Sequence, residues 1–364
     1  MKSDSTRFVM IRDNRSVGCF TFDYMETIQL YLPNLAKIFW LTALSFIIAI
    51  IWTPLFTDFL YRNRLGKRIR KTGYDESRAP IFYRLHKNKQ DTPTMGGLLI
   101  WLTVAVITLL FNLSRSGTWL PLFALVATGI VGAIDDIANI RGFGPSGGGL
   151  RFRFKFLIYI TIAAVGAWWF YFKLGWDIFH IPGIGDFFLG WWYIPIFILV
   201  LVFFAFAVNE TDGLDGLAGG TLAAAFSSYA IIALVQNKPA LAAFCGTIAG
   251  ALFAFLWFNI YPARFFMGDT GSMALGMTLA VIAFLTNSVA VLPIIGFVFV
   301  LEALSVIIQI FSKRIFKRKV FLSAPLHHHL EALGWPETKI TMRFWVISAV
   351  MAAIGLMIAL VGKG

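Results

Sequence analysis

Long apolar runs divide this chain at short intervals, and a run of about 20 apolar residues is what a helix needs to cross a bilayer. They fall at about 35–60, 95–113, 119–135, 154–172, 192–209, 214–235, 239–259, 271–286, 289–312 and 342–361. The runs are continuously apolar rather than alternating, so they predict helices and not a barrel. The expected fold is an all-α integral membrane protein with ten transmembrane helices. At 58% hydrophobic and 14% charged residues, with a mean hydropathy of +0.76, the chain stands outside the range of soluble domains, which are nearer half apolar and a quarter charged. No polar segment is long enough to fold alone. The expected organisation is a polar N-terminal extension at 1–34 and one polytopic membrane domain at 35–364.

Lysine and arginine orient the spans, because cytoplasmic loops retain them. The loop from Arg62 to Lys89 carries ten, and further basic loops hold Arg141, Arg151, Arg153 and Lys155, then Arg264, then a run from Lys313 to Arg343. Each follows an odd-numbered helix, whereas the intervening loops carry only Arg115, Lys173 and Lys238. Both termini are therefore expected outside, against a mild dissent from Lys2, Arg7, Arg12 and Arg15. The net charge of +12 follows the same loops, so it indicates membrane topology and not a nucleic-acid partner. Cys19 and Cys245 are too far apart in sequence and setting to suggest a disulfide framework or a zinc site. Met1 to Glu26 lacks the apolar core of a signal peptide, so the first span is expected to stay as an anchor.

Against this background four polar knots stand out, at Asp135-Asp136, Asn209–Asp215, Asn259–Asp269 and the histidine run Leu326–Glu331, and the topology puts all of them on the cytoplasmic face. A charge in hydrocarbon costs roughly 3 kcal/mol at the centre of a span, so carboxylates at span ends mark a partner or a function. Asp135 and Asp136 close the third span in GAIDDIANI; adjacent carboxylates repel unless a cation or metal compensates, and the bland alternative is a hydrated helix end. In AVNETDGLDGLAGG, Asn209, Asp212 and Asp215 precede an apolar helix, with glycines that allow close backbone approach. A lone Asp there would be a cap; two Asp, an Asn and interleaved Gly favour substrate binding. Asp269, in FNIYPARFFMGDTGSMALG, either caps the next helix or serves an anion at its N-terminus. Asn259 and Phe265-Phe266 are candidates to contact a nucleobase.

Weaker signals surround these. GFGPSGGGLRFRFK, from Gly142, follows no strand and lacks a Lys-Ser/Thr ending, so it is no Walker loop; Arg151, Arg153 and Lys155 are candidate phosphate contacts. HKNKQDTPTMGG places Lys89 and Thr94 before the second span. In APLHHHLE, three consecutive His cannot all face one metal on a helix, so phosphate or sugar contact, or a structural cluster, is preferred to zinc. Glu302, inside the ninth span, pairs within the bundle or acts in function; sequence leaves both open.

The ordered set KNKQDTPTMGG, Asp135-Asp136, AVNETDGLDGLAGG, LWFN…FMGDTGSMALG, VLEALSVIIQ and APLHHHLEALGW resembles the polyprenyl-phosphate N-acetylhexosamine-1-phosphate transferases (the glycosyltransferase 4 family), and within them the phospho-N-acetylmuramoyl-pentapeptide transferases. The similarity runs from about Ile38 to the C-terminus. It implies ten helices, a cytoplasmic active site, a multi-pass protein of the bacterial inner membrane, and magnesium-dependent transfer of phospho-N-acetylmuramoyl-pentapeptide from its UDP carrier to undecaprenyl phosphate. The implied partners are those two substrates and the lipid bilayer; a homodimer is compatible and nucleic acid is not expected. By motif match, Asp269 is the implied magnesium ligand, Asp135, Asp136, Asp269 and His327 the implied catalytic set, and Asp135 the candidate base. Lys89, Thr94, Lys155, Asn209, Asp212, Asp215, Asn259, Phe266, Gln309, His328 and His329 are the implied substrate contacts. Where the family carries lysine soon after its double Asp, this chain has Asn139 and Arg141, and Leu330 stands for a usual Phe. Two other readings fit parts of the pattern. A sister transferase for N-acetylglucosamine-1-phosphate shares the acidic motifs but has an interrupted histidine pattern. A transporter would place its charges near the midplane, with internal repeats.

Overall fold

The segment beginning at Asp269 is apolar on every side after its first turn, a pattern shared by helices in lipid and helices enclosed by protein. The computed structural model describes residues 24–66, 89, 92–143 and 149–362, without the side chains of 24–31 and 152. The N-terminal extension to residue 23, most of the ten-charge loop and residues 144–148 lie outside the described residues. In chain order the elements are α1 (Tyr24–Arg62), α2 (Gly97–Phe111), α3 (Trp119–Arg141), α4 (Phe152–Trp168), a π turn at Trp169–Lys173, β1 (Ile178–Ile181), β2 (Gly185–Phe188), α5 (Tyr193–Thr211), α6 (Leu217–Val235), α7 (Pro239–Asn259), α8 (Asp269–Leu285), α9 (Leu292–Ile295), α10 (Phe297–Ile315), α11 (Leu326–Ala332) and α12 (Glu337–Val361).

Every residue of α8 from Thr270 to Leu285 is buried. Helices α3 and α5 pack along it, α2 and α6 touch it, and α7 ties α1 to α6 outside this centre. The far end of α8 is fastened by an aromatic cluster, with Phe284 4.4 Å from Phe197 and Phe197 4.8 Å from Phe170, centroid to centroid. Offset and tilted rings at such distances add to the burial of their apolar area. The near end, at Asp269, is polar. One helix thus runs from an aromatic anchor to an acidic terminus, and the terminus builds the site.

Seven of the described helices are long and apolar enough to cross a membrane; α2 and α8 are shorter apolar helices, and α9–α10 form one pair bent by 82°. Helix positions match the apolar runs closely, although α1 starts at Tyr24, well before its run. The all-α expectation needs one correction. IFHIPGIGDFF forms an antiparallel hairpin, Ile178 opposite Phe188 and Ile181 opposite Gly185. Aromatic and β-branched residues flanking a Pro-Gly-containing turn favour such pairing, and the segment is too short and too interrupted to continue a helix. Residues 326–332, read as loop, form the short helix α11.

Candidate functional site

The C-terminal part of α3, the N-terminus of α8, the loop after α5 and the first turns of α4 meet at one place. The approach of α3 to α8 depends on Gly132: a Cβ there would lie 2.3 Å from the Asp269 carbonyl oxygen, so any side chain would force the helices apart. One turn further along α3 come Asp135 and Asp136, which are 2% and 5% exposed.

Asp136 caps α8 from the neighbouring helix. Its Oδ2 accepts from the Thr270 amide at 3.0 Å and the Thr270 hydroxyl at 2.6 Å, and its Oδ1 accepts from the Asp269 amide at 3.3 Å. A carboxylate here satisfies amides the helix leaves free and meets the positive end of its dipole. Asp135 turns the other way. Its Oδ1 accepts from the Leu150 amide at 2.7 Å, and its Oδ2 lies 2.7 Å from Lys155 Nζ. The same ammonium pairs with Asp269 Oδ2, so Lys155 joins the two aspartates. Two like charges about 4 Å apart repel by about 4 kcal/mol at an effective dielectric near 20, and the shared lysine offsets that cost.

Asn209 donates to Asp269 Oδ1 at 2.8 Å and to the Ser272 hydroxyl at 2.9 Å. Asp212 accepts from the Gly268 amide at 3.0 Å. The segments Asp135-Asp136, Lys155, Asn209–Asp212 and Gly268-Asp269 are therefore brought together by geometry as well as by topology.

A second ionic centre lies alongside. Lys89 Nζ is 2.6 Å from Asp215 Oδ1 and also pairs with Glu337 Oε1. Asp215 Oδ2 accepts from the Ala263 amide at 3.0 Å, and Glu337 Oε1 from the Asp215 amide at 2.7 Å. Burial pulls the Lys89 pKa down, but Asp215 and Glu337 pull it up by more, leaving it above the ordinary lysine value. The ammonium also stands 5.8 Å from the centroid of the half-buried Phe266 ring. Glu337, at the start of α12, carried no sequence signal; a carboxylate in the first turn of a helix reads as a cap.

Other expected substrate contacts have their polar groups engaged by the fold. Asn259 accepts from the Gly216 amide at 3.0 Å and donates to the Phe265 carbonyl at 2.8 Å. Gln309 accepts from the Val320 and Phe321 amides, both at 3.0 Å, and donates to the Phe321 carbonyl. Phe265 is fully buried and packs at 5.8 Å from Phe255, so it is a core residue. Thr94 is buried, and its hydroxyl has no hydrogen-bond partner among the described residues.

The histidines divide. His327 is fully buried, 3.1 Å from Glu302 Oε2; His328 Nδ1 is 2.7 Å from Glu331 Oε2; His329 Nδ1 accepts from the Leu322 amide at 3.2 Å. The His327 and His328 rings meet edge to face with centroids 4.0 Å apart, while His329 turns to the Leu322 amide, so the three do not converge on one point.

Comparison with known proteins shows the family of the chain. A family model described as Glycosyl transferase family 4 matches residues 118–287, which include α3, α5 and the start of α8. Residues 89–100 match the phospho-N-acetylmuramoyl-pentapeptide-transferase signature 1. A protein of Chloroflexus aurantiacus called phospho-N-acetylmuramoyl-pentapeptide-transferase is 41% identical over 342 residues, covering 90% of this chain and 91% of that protein. Proteins of the same name from Geobacillus thermodenitrificans and Shouchella clausii are 41% and 40% identical, covering 87% and 86% of this chain and 96% and 95% of their own. With this identity across almost the whole length, the chain belongs to the phospho-N-acetylmuramoyl-pentapeptide-transferase family.

Proposed function

We propose that the protein transfers phospho-N-acetylmuramoyl-pentapeptide from its UDP carrier to undecaprenyl phosphate, releasing UMP and forming lipid I for peptidoglycan synthesis. The observation that carries this reading at the site is Lys155 shared between Asp135 and Asp269. Three elements, α3, α4 and the head of α8, supply two carboxylates and a cation at one point, which is the equipment for two phosphates that repel.

Magnesium fits the residues present. Asp269 and Asp135 offer hard oxygen donors and already share a cation. Among the described residues no three His, Cys, Asp or Glu side chains are grouped to hold a metal by themselves. That suits an ion held through one or two carboxylates together with substrate phosphates. Asp269 would hold it, with Asp135 beside, and when bound it would neutralise charge on the reacting phosphates.

In the reaction, an oxygen of the lipid phosphate bonds to the sugar-bearing phosphorus, and the bond from that phosphorus to the UMP oxygen breaks. A phosphate monoester with a second pKa near 6 is already mostly dianionic at neutral pH. Positioning and charge relief therefore carry the rate more than proton abstraction. Lys155 meets phosphate charge, Asn209 fixes the Asp269 carboxylate, and Asp136 sets the first turn of α8. Lys89, with Phe266 and the loop holding Asp212 and Asp215, serves the nucleotide-sugar. Asp135 then orients Lys155 and is not required as a base.

The seven long helices and the bent pair give up to eight spans by length and composition; on this reading the two shorter apolar helices cross as well, which makes ten. With both termini outside, they put the acidic site on the cytoplasmic face of the inner membrane. Purified protein given undecaprenyl phosphate and magnesium tests the reading. UMP release from UDP-N-acetylmuramoyl-pentapeptide is expected, and none from UDP-N-acetylglucosamine. The reverse preference would assign the sister reaction, and release from neither would remove the enzymatic reading.

A further inference from the structure

Glu302 has no part in the chemistry above, yet it is a fully buried carboxylate in α10. The buried stripe of that helix runs through Val298, Phe299, Glu302, Ser305, Val306 and Gln309, while Leu304, Ile307, Ile308 and Phe311 face outward. Glu302 therefore points into the protein and not into lipid. Its Oε2 lies 3.1 Å from His327 Nδ1 and 3.4 Å from the His327 amide. The Nδ1 contact has ion-pair distance without hydrogen-bond alignment, and Glu302 Oε1 and His327 Nε2 have no hydrogen-bond partner among the described residues.

The other edge of the imidazole meets the loop that carries Asp212 and Asp215. A Cβ on Gly213 would fall 2.1 Å from His327 Nε2 and 2.8 Å from Cε1. The ring thus occupies the space a side chain at 213 would need. Asp212 on one side of that glycine holds the Gly268 amide, and Asp215 on the other pairs with Lys89. A displaced ring would release the middle of a loop whose two ends reach the two ionic centres.

We propose that Glu302 is a positioning residue: it holds His327 as a wedge against Gly213, and through that contact it fixes the loop that takes the nucleotide-sugar. This rests on the function proposed above, and it makes His327 a support for the site, sealed behind the loop. Removing one partner of a buried pair strands the other, so the effect should be felt where the ring presses.

The test is kinetic and uses a rescue. Glu302→Gln should raise KM for UDP-N-acetylmuramoyl-pentapeptide about tenfold, with kcat and the KM for undecaprenyl phosphate within about twofold of wild type, a loss of the size one hydrogen bond to a charged group supplies. Gly213→Ala should show the same signature. In a His327→Ala background, where the ring is gone, Gly213→Ala should cost nothing further, because coupled residues do not add. The same cross, read as thermal midpoints in detergent, decides the packing part without turnover and serves if Glu302→Gln fails to accumulate. An unchanged KM in Glu302→Gln, or a Gly213→Ala penalty undiminished in the His327→Ala background, would overturn the inference. A wild type that releases no UMP would instead count against the functional reading.

Discussion

Lys155 and Lys89 each join two carboxylates, but the two centres are built differently. At Lys155 the partners are helix ends: Asp135 on α3 and Asp269 at the head of α8, both held by the packing of buried helices. Asp136 and Asp212 stand close by, each accepting from a backbone amide of the 268–270 segment. At Lys89 the partners close a ring, because the Glu337 carboxylate also accepts from the Asp215 amide and Asp215 from the Ala263 amide. The first centre gathers carboxylates around a cation on a rigid frame. The second uses its carboxylates to fasten a loop to α12. On the reading proposed above, charge chemistry belongs to the first, and substrate placement to the second.

This contrast predicts a graded set of losses. The largest is expected from Asp269→Asn: turnover should fall about a thousandfold, as when preorganised charge stabilisation is removed, with the thermal midpoint near wild type because Asn keeps the size and an acceptor for Asn209. A full loss of folding in this variant would erase the distinction between the centres. Lys155→Ala should cost about a hundredfold in kcat and also lower the midpoint, since it leaves Asp135 and Asp269 facing each other; adding magnesium should recover part of that midpoint. Lys89→Ala should act mainly on KM for the nucleotide substrate, about tenfold, because Asp215 and Glu337 retain their amide donors. Equal kcat losses in the two lysine variants would contradict the division.

The smallest effect concerns pH. Burial lowers the His327 pKa, but Glu302, with Glu331 and Glu210 further off, raises it by more, so the net value lies above the ordinary 6.5. A raised folded-state pKa stabilises the fold fully below the unfolded value and loses that stabilisation as pH climbs through the folded one. The thermal midpoint should therefore decline from pH 6.5 upward, by a degree or so, and the slope should disappear in Glu302→Gln.

Much of the site was legible because carboxylates at the ends of apolar runs are costly without a reason. Asp135, Asp136, Asp212 and Asp269 announce themselves this way, and α8 falls on the apolar run read at 271–286, although its full burial among other helices was not read from sequence. Partnerships were not legible. Nothing in sequence pairs Glu302 with His327 or Glu337 with Lys89, since those contacts depend on how α10, α11 and α12 pack. Asn259 and Gln309 show another limit: nothing in sequence says that their amides also hydrogen-bond the chain's own backbone. The hairpin at Ile178–Phe188 was missed because a run of aromatics and glycines between spans carries little period.

The central claim is that Asp269 is where the phosphates and their cation are managed. Its most direct test is the magnesium dependence of UMP release from UDP-N-acetylmuramoyl-pentapeptide and undecaprenyl phosphate, measured side by side for wild type and Asp269→Asn. The account predicts release that rises with magnesium and saturates in the wild type, and release in the variant that stays near background at every magnesium concentration. Equal, metal-independent release from both proteins would contradict it.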